Sequence, residues 1–193
     1  RPGAGPGAER RFLREARVTA QLEHPGIVPV YDLGPPDGPP SYTMRRVRGR
    51  TLAAAIAAAP DLSARLALLV HVVDLCQAVA YAHSRGVLHR DLKPQNVMVG
   101  EFGETVLLDW GLARKRNDAE GDGYEVVSLD PGQTIVGATV GTPAYMSPEQ
   151  ANGEPVDERA DVWSLGAVLY AVRSEEHTSE LRHSSVSRMP SSA

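Results

Sequence analysis

The 193-residue chain has one cysteine, Cys76. That excludes an intrachain disulfide and any cysteine-rich metal cluster, and it fits a reducing compartment. Lysine is nearly absent: the 20 basic residues are 18 arginines and two lysines, Lys93 and Lys115. Aromatics are only 5%, but 42% of residues are hydrophobic and the net charge is −4. A disordered chain does not have that balance, and the length suits one domain with its own core. Twenty basic against 24 acidic residues leave no basic field, which argues against nucleic acid as the main partner. No run of 18 apolar residues occurs, so no membrane-spanning segment is expected. The opening Arg-Pro-Gly-Ala-Gly-Pro-Gly-Ala has neither an initiating Met nor the apolar stretch of a signal peptide, and reads as a chain entered part-way.

Residues 1–8 read as a loop or ragged end. From Glu9 to Leu22 the pattern is helical, with Phe12, Leu13, Ala16 and Ala20 on one face and Arg10, Arg14 and Arg17 opposite. His24-Pro25-Gly26 stops it. Ile27–Leu33 and Ser41–Val47 read as strands, followed by a short helix over about 52–59. A long helix is expected over Ser63–Ser84, capped by Ser63, with Leu66, Leu69, Val70, Val73 and Ala80 turned to a core and Gly86 ending it. Val97–Val99 and Thr105–Leu108 read as a hairpin around Gly100–Gly103. Residues 112–142 lack periodicity, and a loop that long in a compact domain is functional or disordered. A last helix, about Asp157–Val172, carries Val162, Leu165, Leu169 and Tyr170.

Between Leu88 and Val97 stands His89-Arg90-Asp91-Leu92-Lys93-Pro94-Gln95-Asn96. It resembles the catalytic loop of eukaryotic-type protein kinases. Phosphoryl transfer needs positioning and charge more than covalent help. The resemblance makes Asp91 the base that accepts the substrate hydroxyl proton. Lys93 would place positive charge near the transferred phosphate. Asn96 would offer Mg²⁺ a neutral oxygen. His89 is assigned a structural role alone.

Thirteen residues after Asn96, Asp109-Trp110-Gly111 resembles the family's Asp-Phe-Gly, with Asp109 as metal chelator and Trp110 in the aromatic's place. The stretch 109–149 then resembles an activation segment. Its end, Gly141-Thr142-Pro143-Ala144-Tyr145-Met146-Ser147-Pro148-Glu149, is similar to the peptide-docking strip and closing Ala-Pro-Glu. Thr142 would contact Asp91 and Lys93, and Glu149 would anchor the segment by an ion pair. Arg90 would receive a phosphate placed on the segment, with Thr134 and Thr139 the candidate acceptors and Ser128 behind them. Asp161 would hold the catalytic-loop backbone by hydrogen bonds, since a buried carboxylate demands partners. Upstream, Glu15 would face the ATP-positioning lysine, Met44 would be the gatekeeper, Arg45–Val47 the hinge, and Met98 the floor under the base.

The resemblance implies an α+β, bilobal protein-kinase-like fold over 9–172. Residues 9–50 form a partial upper lobe of a helix plus two strands. Residues 51–172 form a partial, mainly helical lower lobe. The activity implied is transfer of the ATP γ-phosphate to protein serine or threonine, with ATP and Mg²⁺ as cofactors, protein substrates as partners and transient homodimers for activation in trans. The setting implied is a cytoplasmic domain of a bacterial protein, whose parent could be membrane-anchored elsewhere. No G-x-G-x-x-G occurs and both lysines are committed elsewhere, so this chain as written is expected to be catalytically poor. Residues 173–193, Arg-Ser-Glu-Glu-His-Thr-Ser-Glu-Leu onward, resemble a translated sequencing adaptor and are set apart from the domain. Competing readings are a pseudokinase or signalling scaffold, a small-molecule phosphotransferase of related fold, and a non-functional gene fragment.

Overall fold

The computed structural model describes residues 6–35, 38–111, 113–115 and 143–174. The first helix, α1 (Pro6–Thr19), stops three residues short of Leu22. Thr19 Oγ1 bonds back to the Glu15 carbonyl at 2.8 Å, a local bond that competes with helix continuation. Its buried side is Ala16, Val18 and Thr19; Ala20, expected inside, is exposed. Strands β1 (Val30–Leu33) and β2 (Tyr42–Met44) pair antiparallel, with Val30 opposite Met44. Both are shorter than the expected 27–33 and 41–47, and Ile27 bridges Leu107 instead.

A second sheet has the order β3-β5-β6, all antiparallel, from β3 (Arg50–Thr51), β5 (Val97–Val99) and β6 (Thr105–Leu107). The last two are the expected hairpin. β4 (Val87–Leu88) pairs β7 (Arg114–Lys115).

Helix α2 (Leu52–Ala58) is capped by Thr51, whose hydroxyl accepts from the Ala54 amide at 3.1 Å. The single helix expected over 63–84 is two, α3 (Leu62–Leu66) and α4 (Leu69–Ser84). Asp61, not Ser63, caps the first of them, accepting from Ala64 N–H at 2.8 Å. The expected core stripe is also rotated. Leu66, Val70, Val73 and Ala80 are exposed, and the buried face is His71, Val72, Leu75, Ala78, Val79 and Ala82. A polar contact fixes that rotation. His71 Nδ1 meets Thr105 Oγ1 at 2.8 Å, and that hydroxyl donates to Asp74 Oδ2 at 2.8 Å. Thr105 has one proton, so Nδ1 carries the donor. Burial lowers the His71 pKa, which keeps the ring neutral. Among the described residues Leu62–Ser84 is the one stretch long and apolar enough to cross a membrane. Here it breaks after Leu66 and its second part sends His71 and Leu75 into the core.

Helices α5 (Pro148–Ala151) and α6 (Glu158–Arg173) complete the lower part, α6 capped by Asp157 and packed on α4. α6 buries Ala160, Asp161, Ser164, Val168, Ala171 and Val172, while Val162, Leu169 and Tyr170 stay exposed. One apolar cluster joins Leu52, Leu75, Val79, Leu92, Leu107, Trp110 and Val168. The architecture is the expected α+β arrangement, a small helix-and-strand part above a mainly helical one.

Candidate active site

The loop after β4 is held from three sides. Within it, Lys93 Nζ donates to Asp91 Oδ2 at 2.7 Å. Asn96 Nδ2 donates to Asp91 Oδ2 at 3.2 Å and to the Asp91 carbonyl at 2.9 Å. Asn96 is buried, in the 3₁₀ turn Pro94–Asn96, where Pro94 at the first position costs no hydrogen bond. One carboxylate, one ammonium and one amide thus form a connected triad with Asp91 at its centre.

His89 links this triad to the next motif. It is 1% exposed. Its Nδ1 accepts from the Asp91 amide at 3.2 Å, so the proton sits on Nε2, 3.3 Å from the Leu108 carbonyl. Burial pushes its pKa down against the pull of Asp161, the Leu108 carbonyl, Asp91 and Asp109. The ring is therefore a neutral structural link between the Asp91 amide and the Leu108 carbonyl. Its face lies against Trp110, with centroids 4.7 Å apart at 60°. Trp110 is 1% exposed, so the tryptophan fills the core as the expected aromatic would. Its indole N–H has no hydrogen-bond partner among the described residues.

The Leu108 amide donates to the Asn96 carbonyl at 2.8 Å, which joins the β6 end to the loop. Asp109 follows at φ 58°, a left-handed conformation, and is exposed. Its Oδ1 accepts from Gly111 N–H at 3.3 Å. A Cβ on Gly111 would stand 3.1 Å from Asp109 Oδ1 and 3.3 Å from Glu15 Oε2. The glycine lets both carboxylates approach the backbone at one point. Burial, then the Asp109 charge, raise the Glu15 pKa, and a hydrogen bond from Tyr42 lowers it. That bond, Tyr42 Oη to Glu15 Oε1 at 3.4 Å, is the side-chain partner of Glu15 among the described residues. Tyr42 also stacks on Phe12, centroids 4.8 Å apart. Its own pKa is raised by burial and then by the Glu15 charge.

Below the loop, Asp161 is fully buried. Its Oδ1 accepts from Arg90 N–H at 2.7 Å, and its Oδ2 from His89 N–H at 2.9 Å. Oδ2 also meets His83 Nε2 at 2.8 Å. Burial alone would raise its pKa; the His83 bond and the two backbone donors bring it below the usual carboxylate value. The expected contact with the loop backbone is there. His83 and Tyr42 were not anticipated, and both had a signal: a polar residue on the last turn of an apolar helix, and a tyrosine in a strand beside a helical glutamate.

Met44 is half exposed at the end of β2, Val47 half-buried between β2 and β3, and Met98 half-buried in β5. Glu149 lies in the first turn of α5. Its charged neighbour is Arg159, which is itself bridged to Asp157 at 2.8 Å. Thr134, Thr139, Thr142 and the stretch 175–193 lie outside the described residues. No group of three or more His, Cys, Asp or Glu side chains is gathered for a metal among the described residues. The oxygens of Asn96 and Asp109 are hard donors, and two of them suit Mg²⁺ when phosphate and water complete its shell.

The model of the protein kinase domain matches residues 4–189. The chain is similar to proteins named serine/threonine-protein kinase PknD. It is 40% identical over 181 residues to that of Protochlamydia amoebophila, covering 86% of this chain and 18% of the relative. It is 42% identical over 179 residues to that of Chlamydia pneumoniae, covering 86% and 19%. The chain thus spans about a fifth of the length of these relatives.

Proposed function

From a chain that belongs to the protein kinase domain family, we propose a serine/threonine protein kinase that moves the γ-phosphoryl group of ATP to hydroxyls of protein substrates. The observation that carries the reading is the triad on Asp91, linked through His89 to the Leu108 carbonyl just before Asp109. Asp91 accepts the substrate hydroxyl proton as the oxygen attacks phosphorus. Lys93, 2.7 Å from that carboxylate, meets charge on the moving phosphoryl group. Asn96 and Asp109 would hold Mg²⁺, which would supply charge neutralisation on the phosphate oxygens. Met44, Val47 and Met98 would line the adenine site. Thr142 orients the acceptor, while Thr134 or Thr139, phosphorylated in a transient homodimer, would bind Arg90. The reaction draws on ATP, so the domain works in the cytoplasm.

The chain as written turns over poorly under this reading. It has no G-x-G-x-x-G and its two lysines are Lys93 and Lys115. Glu15 meets the Tyr42 hydroxyl and the Asp109 charge. A transfer assay with radiolabelled ATP tests both statements. The intact protein carrying these residues should label a protein substrate and lose that labelling in Asp91→Asn, by a factor of about 10² or more. No labelling by the intact protein, with no nucleotide bound, would refute the enzyme reading. Asp91-dependent labelling by the 193-residue chain alone would refute the second.

A further inference from the structure

We propose that Gln150 is a positioning residue, tying the cap of α5 to the Arg90 carbonyl and so fixing the backbone that presents Asp91. This rests on the kinase reading of the site and extends it to a residue beyond the reacting groups.

Every polar atom of the Gln150 side chain is used. Nε2 donates to the Arg90 carbonyl at 2.8 Å, across 60 residues of sequence. Oε1 accepts from the Ser147 amide and hydroxyl, each at 3.3 Å. Ser147, fully buried, accepts in turn from Gln150 N–H at 3.4 Å. That reciprocal pair is a capping box, and a capping box needs only the oxygen: glutamate serves it as well as glutamine. The amide N–H₂ is surplus to the cap. It is spent on the catalytic loop.

The loop has a use for it. Arg90 sits at φ 69°, a left-handed conformation that is strained for a non-glycine residue and persists only where its surroundings hold it. Two bonds do so. Asp161 takes the Arg90 N–H at 2.7 Å and Gln150 takes its carbonyl at 2.8 Å. The next residue is Asp91, whose amide is aimed at His89 Nδ1 at 3.2 Å. A peptide pinned at both ends cannot swing that amide without breaking a bond. The other side of the clamp is equally fixed, because Ser164 Oγ donates to the Tyr145 carbonyl at 2.7 Å just before Ser147. The docking strip and the base loop are thereby one mechanical unit.

Two variants separate positioning from capping. Gln150→Glu keeps the oxygen that caps α5 and puts an acceptor where the donor stood. Gln150→Met keeps the volume and neither bond. Amide hydrogen exchange over residues 88–93 is read in the 193-residue chain, and kcat with nucleotide affinity in the intact protein that carries it. Both variants should speed exchange at 89–91 about tenfold, with the amides of α4 unchanged. Both should lower kcat about tenfold with nucleotide affinity within about twofold. A Gln150→Glu variant that exchanges like wild type would reduce the residue to a cap and overturn the proposal. So would faster exchange with unchanged kcat. If Gln150→Met does not fold, Gln150→Glu decides alone. Loss of all labelling in the wild type would sink the kinase reading, and the exchange result would still decide whether Gln150 holds the loop.

Discussion

Asp161→Asn isolates the contact on which the loop geometry depends. The carboxylate has no exposed surface and accepts from two backbone amides, with His83 as third partner. Asparagine has the same shape and one oxygen fewer. If that oxygen keeps Arg90 N–H, the new N–H₂ faces His83 Nε2 and His89 N–H. His83 can move its proton to Nδ1 and accept, but the His89 amide has no such choice. If the oxygen turns to His89, the Arg90 amide is stranded instead. Either way one buried N–H loses its acceptor, at about 1–3 kcal/mol. The retained bonds also lose their charge assistance, so the total comes to about 2–4 kcal/mol. Urea denaturation followed by circular dichroism at pH 7, with the m-value compared, measures it. The pH dependence gives a second reading. The folded Asp161 pKa is lowered: burial opposes this, but the His83 bond and the backbone donors outweigh it. Its contribution is complete above the ordinary carboxylate value of about 4 and fades as pH falls through the folded value. The gap between wild type and variant should therefore narrow in acid. A variant within about 0.5 kcal/mol of wild type at pH 7 would refute the reasoning.

Gly49 and Gly86 both have positive φ, but a Cβ on Gly49 would strike the Val99 carbonyl and Gly100 Cα, while Gly86 faces open space. Thermal unfolding should show Gly86→Ala costing about 1 kcal/mol and Gly49→Ala at least about 3 kcal/mol; equal losses would contradict the steric account. Glu15 has a raised pKa, from burial first and Asp109 second, so wild-type stability falls as pH rises from the ordinary carboxylate value toward the folded one. Glu15→Gln should be more stable than wild type at pH 7 and level with it near pH 4, while Tyr42→Phe should move the Glu15 carboxyl titration upward in ¹³C NMR.

The candidate reacting groups were legible because the proposed chemistry tolerates few substitutes at short spacing. Asp91, Lys93 and Asn96 lie within six residues and meet within one loop. The 97–99 and 105–107 hairpin was legible for a similar reason, being local and closed by Gly103 at φ 84°. Contacts between distant segments were not. Nothing in the local pattern says that His83 lies 2.8 Å from Asp161, or that Ile27 bridges Leu107.

Helix rotation failed for a more general reason. α4 is apolar nearly all round, and the expected stripe with Val70 and Val73 is as hydrophobic as the observed one with Val72, Leu75 and Val79. Each such side chain is worth about 1.5–3 kcal/mol buried, so turning the helix exchanges nearly equal gains. The tie is broken by polar groups, because a stranded one costs about 1–3 kcal/mol with nothing to offset it. His71 can be buried only where Thr105 meets it, and that selects the face. α6 follows the same logic. Burying Val162, Leu169 and Tyr170 would have turned Asp161 away from the His89 and Arg90 amides and left both without it. The carboxylate that shapes the catalytic loop therefore also decides which side of α6 faces the core.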